Sequence, residues 1–159
     1  MRSVVILVTV FVLLAVFGPL LAPHDPTAIN IPARLSPPGP EYLLGTDALG
    51  RDILSRLLHG ARWSLGLAFV VSLSSLVIGT VLGLTAALGG KAADWVVMRT
   101  TDTFLAFPEL VAAVVIAGVL KPGPASLIFA LTVTGWMRYA RVARGIGLAV
   151  ATRGYVLQA

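Results

Sequence analysis

The residues best placed to do chemistry within an apolar part of this chain are a proline and the glutamate after it, Pro108 and Glu109. Proline lacks a backbone N–H, so Pro108 is expected to kink a helix near Phe107. Helical rise places Glu109 roughly 10 Å inside the apolar run, where a carboxylate is costly and usually faces a bundle interior or water. Two interpretations stay open: Glu109 lines a translocation path, or it snorkels or pairs near the membrane interface.

No other pattern in the sequence predicts catalysis or cofactor binding. His24 and His59 lie far apart, on a Pro-rich segment and on a surface helix, and a metal site would need more ligands converging on them. The absence of cysteine excludes disulfides, thiolate metal sites and cysteine nucleophiles. Glycine-rich phosphate-binding loops are also absent. We therefore predict no catalytic residue, no metal site and no cofactor bound by this chain.

The composition is that of a membrane protein. Hydrophobic residues make up 57% of the 159 and charged residues 12%, against about 25% charged in soluble domains. The mean hydropathy is +0.93. The net charge of +5 comes from basic residues beside apolar spans, which favours a role in membrane topology over binding of nucleic acid.

The elements that position Glu109 begin with an N-terminal transmembrane helix in residues 1–22. Its uncharged run, residues 4–22, is close to the ~20 residues that cross a bilayer. A cleaved signal peptide is the competing interpretation, but the run exceeds the usual ~7–15 apolar residues of such a signal. Residues 23–63 are predicted to form an extracytoplasmic Pro-rich loop followed by an amphipathic interfacial helix with its apolar face through Ile53, Leu57 and Leu65.

A second span is predicted at residues 64–88. Small residues recur there at every fourth position and would give one smooth helix face for close packing. Chance is the alternative, because small residues are common in membrane helices. The predicted packing seam consists of Ser75, Gly79, Gly83 and Ala87.

A third span is predicted at residues 103–120 and a fourth at residues 125–137. The fourth continues into a basic helix on which Arg138, Arg141 and Arg144 share one face. The predicted fold is therefore an all-α, polytopic membrane bundle with about four transmembrane helices.

The basic residues predict a cytoplasmic N-terminus, because the flanks on that side then carry more of the 12 Lys and Arg residues than the opposite flanks. The predicted inside residues are Arg2, Lys91, Arg99, Arg138, Arg141, Arg144 and Arg153, and the outside residues are Arg34, Arg51, Arg56, Arg62 and Lys121.

A series of motifs along the chain resembles the second permease subunit of dipeptide, oligopeptide and nickel ABC importers. The resemblance covers essentially the whole chain, with the motifs in order and at family-like spacing. The matching residues are Leu44-Gly45-Thr46-Asp47, Leu49-Gly50-Arg51-Asp52, Leu54-Ser55-Arg56-Leu57, Gly60-Ala61-Arg62-Trp63-Ser64-Leu65, Met98-Arg99, Asp102, Leu105-Ala106-Phe107-Pro108, Gly135-Trp136, Tyr139-Ala140-Arg141 and Arg144.

This resemblance implies a type I ABC importer permease with six spans in the complete family member. It implies a bacterial-type inner-membrane location beside membrane lipid, a second permease subunit, two ATPase subunits that use ATP, and an extracytoplasmic solute-binding protein. The implied solute is a peptide or nickel.

The family also has a cytoplasmic coupling segment of the form Glu-Tyr-Val-x-Ala-Ala-Arg, which docks on the ATPase. Here Tyr155, Val156 and Ala159 match that form, whereas Gly154 and Gln158 depart from it. Residues 64–159 therefore resemble the N-terminal part of the permease core, and the chain is expected to be a fragment that ends inside an incomplete coupling helix. The candidate coupling residues are Arg153, Gly154, Tyr155, Val156, Leu157, Gln158 and Ala159.

Two alternatives to a transporting permease remain at this stage. One is a membrane scaffold or assembly protein in which Pro108 and Glu109 are incidental, and the other is a non-functional permease fragment. A membrane enzyme is disfavoured because no paired acid and base or metal motif is present.

Overall fold

The computed structural model describes residues 2–151, and its described residues are helical apart from connecting segments. The only β-type pairing among them is one isolated bridge between Thr46 and Asp52. The all-α prediction is confirmed. The chain divides into two compact units, Met1–Leu67 and Ala68–Ala159.

Within residues 2–151, five α-helices follow one another, with a short 3-10 helix at Ile31–Ala33 in the Pro-rich segment. Their bounds are α1 Arg2–Leu21, α2 Ile53–Leu88, α3 Gly90–Leu105, α4 Glu109–Val119 and α5 Pro124–Ala151. The predicted interfacial helix and second span are parts of α2, a single helix of 36 residues. At 1.5 Å per residue α2 is roughly 54 Å long, well over the ~30 Å of a bilayer core.

Helix length and composition support fewer spans than the sequence predicted. Among residues 2–151, α1 and α2 are long and apolar enough to cross a membrane, and α3 with α4 makes a third candidate if that bent pair is one span. The predicted fourth span falls in α5 and does not meet the same test. Its apolar part, residues 125–137, is short of the ~20 residues a span needs, and arginines follow it directly.

The predicted third span is two helices rather than one kinked helix. Helix α3 ends at Leu105, and α4 begins at Glu109 with its axis turned by 88°. The break lies where Pro108 predicts it, because proline disfavours helical backbone at the residue before it and has no N–H with which to continue the hydrogen bonding of α3. Alone, α4 has 11 residues and a length of roughly 16 Å.

In the second unit, a small buried core holds the helices together. Trp136, Met137 and Ala140 of α5 are buried, and Leu82 of α2 and Val97 of α3 pack against them. This core lies beside the arginines of α5 and fixes the face from which they project.

In the first unit, Asp47 organises the Pro-rich segment between α1 and α2. Its carboxylate accepts backbone hydrogen bonds from Leu49 at 2.8 Å and Arg51 at 3.0 Å, and it pairs with the side chains of Arg51 and Arg56. Burial acts to raise the pKa of Asp47, but the hydrogen bonds from Arg51 and Leu49 outweigh it and lower the pKa to about 2. The segment therefore depends on an ionised Asp47.

Asp52 caps the N-terminus of α2. Its Oδ2 accepts the Ser55 backbone N–H at 3.1 Å and the Ser55 hydroxyl at 2.6 Å, as an N-cap carboxylate does. Ser55 Oγ in turn accepts the His24 backbone N–H at 3.1 Å, and the His24 ring stacks on Tyr42 with centroids 5.0 Å apart. Both ends of the Pro-rich segment are thus tied to the first turn of α2.

Gly50→Ala is expected to open the Pro-rich segment. Gly50 has a φ of +73°, and an added Cβ would overlap the carbonyl group of Asn30. Limited proteolysis of the membrane-embedded protein should show faster cleavage between residues 23 and 52. The control is Gly39→Ala in the same segment, where a Cβ would meet only Pro37 O at 3.9 Å, and equal cleavage of both variants would contradict this account.

Acidification is expected to loosen the same segment, because the folded pKa of Asp47 lies below the unfolded value of 3.8. The stabilisation is complete above pH 3.8 and is lost as the pH falls through about 2. Hydrogen exchange of the segment, corrected for the intrinsic pH dependence, should show this loss and no change between pH 6 and 8. Asp47→Asn should exchange faster at neutral pH with a shallower acid dependence, so a wild-type profile in that variant would argue against the role of Asp47.

Candidate functional site

Small residues of α2 allow α5 to approach its backbone closely. An added Cβ at Gly79 would lie 2.6 Å from the Tyr139 Cβ, and one at Gly83 would lie 2.8 Å from the Ala143 Cβ. These distances are too short for real side chains, so the approach requires glycine at both positions. Ala87 faces Gly147 of α5 in the same way, since a Cβ there would lie 2.7 Å from the Ala87 Cβ.

Glu109 is the first residue of α4, directly after Pro108 at the N-cap position. A carboxylate at a helix N-terminus is stabilised by the unpaired backbone N–H groups and the helix dipole. Glu109 Oε2 also accepts a hydrogen bond from Arg138 of α5. The Glu109 side chain is 29% exposed and the Arg138 side chain 71%, so the carboxylate is the more enclosed partner.

Two further ion pairs join α5 to α3. Arg141 pairs with Asp102, and Arg144 makes a bidentate pair with Asp94, with 2.7 Å between Arg144 Nη2 and Asp94 Oδ2. A bidentate arginine–carboxylate pair fixes orientation as well as distance. Together the three pairs form an ion-pair ladder along α5, consisting of Glu109–Arg138, Asp102–Arg141 and Asp94–Arg144.

The Glu109–Arg138 pair lies in an open cleft of about 420 Å³ between α2, α4 and α5. Polar groups from each of the three helices reach this cleft, whereas most of the outward surface of α2 and α4 is apolar. The lining residues are Val71, Ser72, Ser75, Glu109, Leu131, Gly135, Arg138, Tyr139 and Val142. The cleft is lined mainly by apolar groups, and the charge pair gives it one polar place at which a hydrated or charged solute can be contacted.

The structure separates the predicted site residues into groups. Glu109 lies in the cleft, and Pro108 lies at the break that orients it. All four residues of the predicted packing seam, Ser75, Gly79, Gly83 and Ala87, face α5, and Ser75 lies opposite Gly135 at the edge of the cleft. The predicted coupling residues 153–159 lie outside the described residues.

Sequence reasoning missed Arg138 as the partner of Glu109, and Ser72 and Gly135 as cleft residues. The arginines were recognised as one helix face, but their partners were not. One usable signal was present: Asp94, Asp102 and Glu109 are the only acidic residues after Asp52, so the three arginines on one helix face had three available partners.

Two known families match this chain. Residues 79–159 match the family described as binding-protein-dependent transport system inner membrane component. Residues 4–38 match the N-terminal TM domain of oligopeptide transport permease C. The second match covers α1 and the first part of the Pro-rich segment.

Curated proteins similar to this chain carry permease names. It is 37% identical over 156 residues to the nickel transport system permease protein NikC of Escherichia coli, covering 98% of this chain and 56% of that protein. It is 37% identical over 157 residues to the dipeptide transport system permease protein DppC of Haemophilus influenzae, covering 95% of this chain and 53% of that protein. A third relative is the oligopeptide transport system permease protein OppC of Bacillus subtilis, at 34% identity over 152 residues, with 96% and 50% covered.

The chain spans about half the length of the curated relatives it matches. The family matches and the permease names of the relatives confirm the resemblance seen in the motifs. They also confirm the prediction that the chain is not an enzyme. Since the match to residues 79–159 takes in half of its length, this chain belongs to the family of inner membrane components of binding-protein-dependent transport systems, which are multi-pass membrane permeases.

Proposed function

We propose that this chain forms part of the translocation path of an ATP-driven importer for peptides or nickel. The observation that carries the proposal is the cleft in which Glu109 and Arg138 are paired at the break between α3 and α4. The energy would come from two partner ATPase subunits. A second permease subunit would complete the path, and an extracytoplasmic solute-binding protein would deliver the solute.

The charges of the cleft support transport over a passive structural role. Ionised side chains inside a membrane bundle are costly, and they persist where they pair or face water. The Glu109–Arg138 pair is open to the cleft on the arginine side. Its net charge is near zero, so the pair offers both a hydrogen-bond acceptor and a donor to a passing solute without trapping an ion of either sign.

The geometry also suggests how motion would reach the cleft. Helix α5 is continuous from Pro124 to Ala151 and carries all three arginines of the ion-pair ladder. The predicted coupling residues 153–159 follow it in the sequence. A displacement of that segment by an ATPase would move α5, and with it the partner of Glu109. The break at Pro108 would let α4 turn relative to α3, as hinges at the ends of helices do.

The solute class rests on the relatives. NikC is named for nickel, and DppC for dipeptides. We carry both classes to this chain as the proposed substrates. We also place the N-terminus in the cytoplasm, which the distribution of basic residues supports.

Glu109→Gln is expected to reduce solute uptake roughly tenfold or more in cells that express the complete transport system. The substitution removes the charge that Arg138 neutralises, and a hydrogen bond to a charged group contributes about 1.5–3 kcal/mol. Uptake of radiolabelled dipeptide or nickel measures the effect.

The matched control is Glu41→Gln, which makes the same change at an exposed position of the Pro-rich segment and should leave uptake unchanged. Normal uptake by Glu109→Gln, at normal amounts in the membrane, would refute the role of Glu109 and favour a scaffold function.

A further inference from the structure

One side of α3 carries two cations with an exposed tryptophan between them. Lys91, Trp95 and Arg99 are spaced four residues apart, so they lie along the same side of the helix. Trp95 is 68% exposed, and Lys91 and Arg99 are exposed as well. On the opposite side of α3, Val97 packs against the buried core of α5. We call Lys91, Trp95 and Arg99 the cationic face of α3.

The charge of the cationic face is not neutralised within residues 2–151. The side chains of Lys91 and Arg99 make no ion pair in that part of the chain. The acidic residues of α3 are Asp94 and Asp102, and arginines of α5 pair with both. The face therefore offers two positive charges, roughly 12 Å apart along the helix axis, to a partner that carries negative charge.

The sequence of helices places this face at the surface of the membrane. Helix α2 is long and apolar enough to cross a bilayer, and it ends at Leu88, three residues before Lys91. Tryptophan is enriched at the membrane–water interface, where its ring lies at the level of the lipid headgroups. Lysine and arginine lay their apolar stems on such a surface and keep their charged ends in the polar layer.

We propose that the cationic face of α3 binds the headgroups of anionic phospholipids. Lys91 and Arg99 donate hydrogen bonds to phosphate oxygens, and the Trp95 ring lies beside the glycerol and the first acyl carbons. An acidic surface on a partner protein would match the two charges. Anionic lipid matches the charges and also the exposed ring, together with the neighbouring Val96, which is 55% exposed. This binding does not depend on whether the chain moves a solute.

Quenching of Trp95 fluorescence by brominated lipid tests this contact, since bromine quenches only indole rings close to it. The full chain, carrying Trp63→Phe, is reconstituted in phosphatidylcholine bilayers. These contain a small fraction of brominated phosphatidylglycerol or the same fraction of brominated phosphatidylcholine. The remaining tryptophan, Trp136, is 9% exposed, and its signal is measured after Trp95→Phe and subtracted. Phosphatidylglycerol should quench Trp95 on the order of twofold more strongly than phosphatidylcholine.

Removing the two charges should abolish this preference. In protein that carries both Lys91→Gln and Arg99→Gln, the two brominated lipids should quench Trp95 equally. The matched control combines Arg34→Gln with Lys121→Gln, which removes two charges at exposed positions outside α3 and should leave the preference unchanged. Added salt should weaken the preference of the unchanged cationic face, because salt screens exposed charges.

Equal quenching by the two lipids while Lys91 and Arg99 are intact would overturn the proposal, and this comparison needs no substitution on α3. A preference that survives the loss of both charges would also overturn it. Weak quenching by both lipids would show that protein covers Trp95, so the face would be a protein contact and the lipid site would be refuted. Solute uptake does not enter these measurements, so the proposed transport function can fail without changing their result.

Discussion

The pairing of Glu109 with Arg138 is the interaction on which the candidate site depends. A helix that breaks at Pro108 and turns by 88° needs something to fix the start of its second part. The hydrogen bond between the first residue of α4 and an arginine in the middle of α5 does this. The pairs Asp102–Arg141 and Asp94–Arg144 hold α3 to the same helix. Helices α3 and α4 are therefore both ion-paired to α5, which fixes the angle between them at the break.

One face of α2 both packs closely against α5 and borders the cleft. Its glycines at 79 and 83 bring α5 near enough for backbone contact, and one turn earlier the same face carries Ser75, which opens into the cleft. Gly135 of α5 continues the arrangement from the opposite side. The absence of side chains at these positions allows the two helices to touch along one face, at the edge of the cleft that holds Glu109.

Much of this arrangement was predictable from the sequence, and the remainder has physical causes. The all-α fold, the break at Pro108 and the family follow from apolar runs, proline chemistry and the motifs around Gly45–Leu65. The ion-pair ladder does not. Arg138, Arg141 and Arg144 rise about 4.5 Å per step along a helix, whereas Asp94 and Asp102 would lie roughly 12 Å apart. The spacing of the arginines along α5 therefore does not match the spacing of the aspartates along α3. Asp94 and Asp102 meet their partners through the reach of the arginine side chains, and Glu109 joins the ladder only because the chain turns by 88° after α3. Both are tertiary features.

The most direct test of the central claim is a charge-swap cycle at Glu109 and Arg138, read as solute uptake by the complete transport system. Glu109→Arg and Arg138→Glu should each reduce uptake strongly, because each places two like charges at the break. The double variant restores an opposite pair, so it should recover uptake by on the order of tenfold over either single variant, because residues in contact are energetically coupled. If the losses in the double variant were instead the sum of the two single losses, Glu109 and Arg138 would act independently, and the account of the cleft would be contradicted.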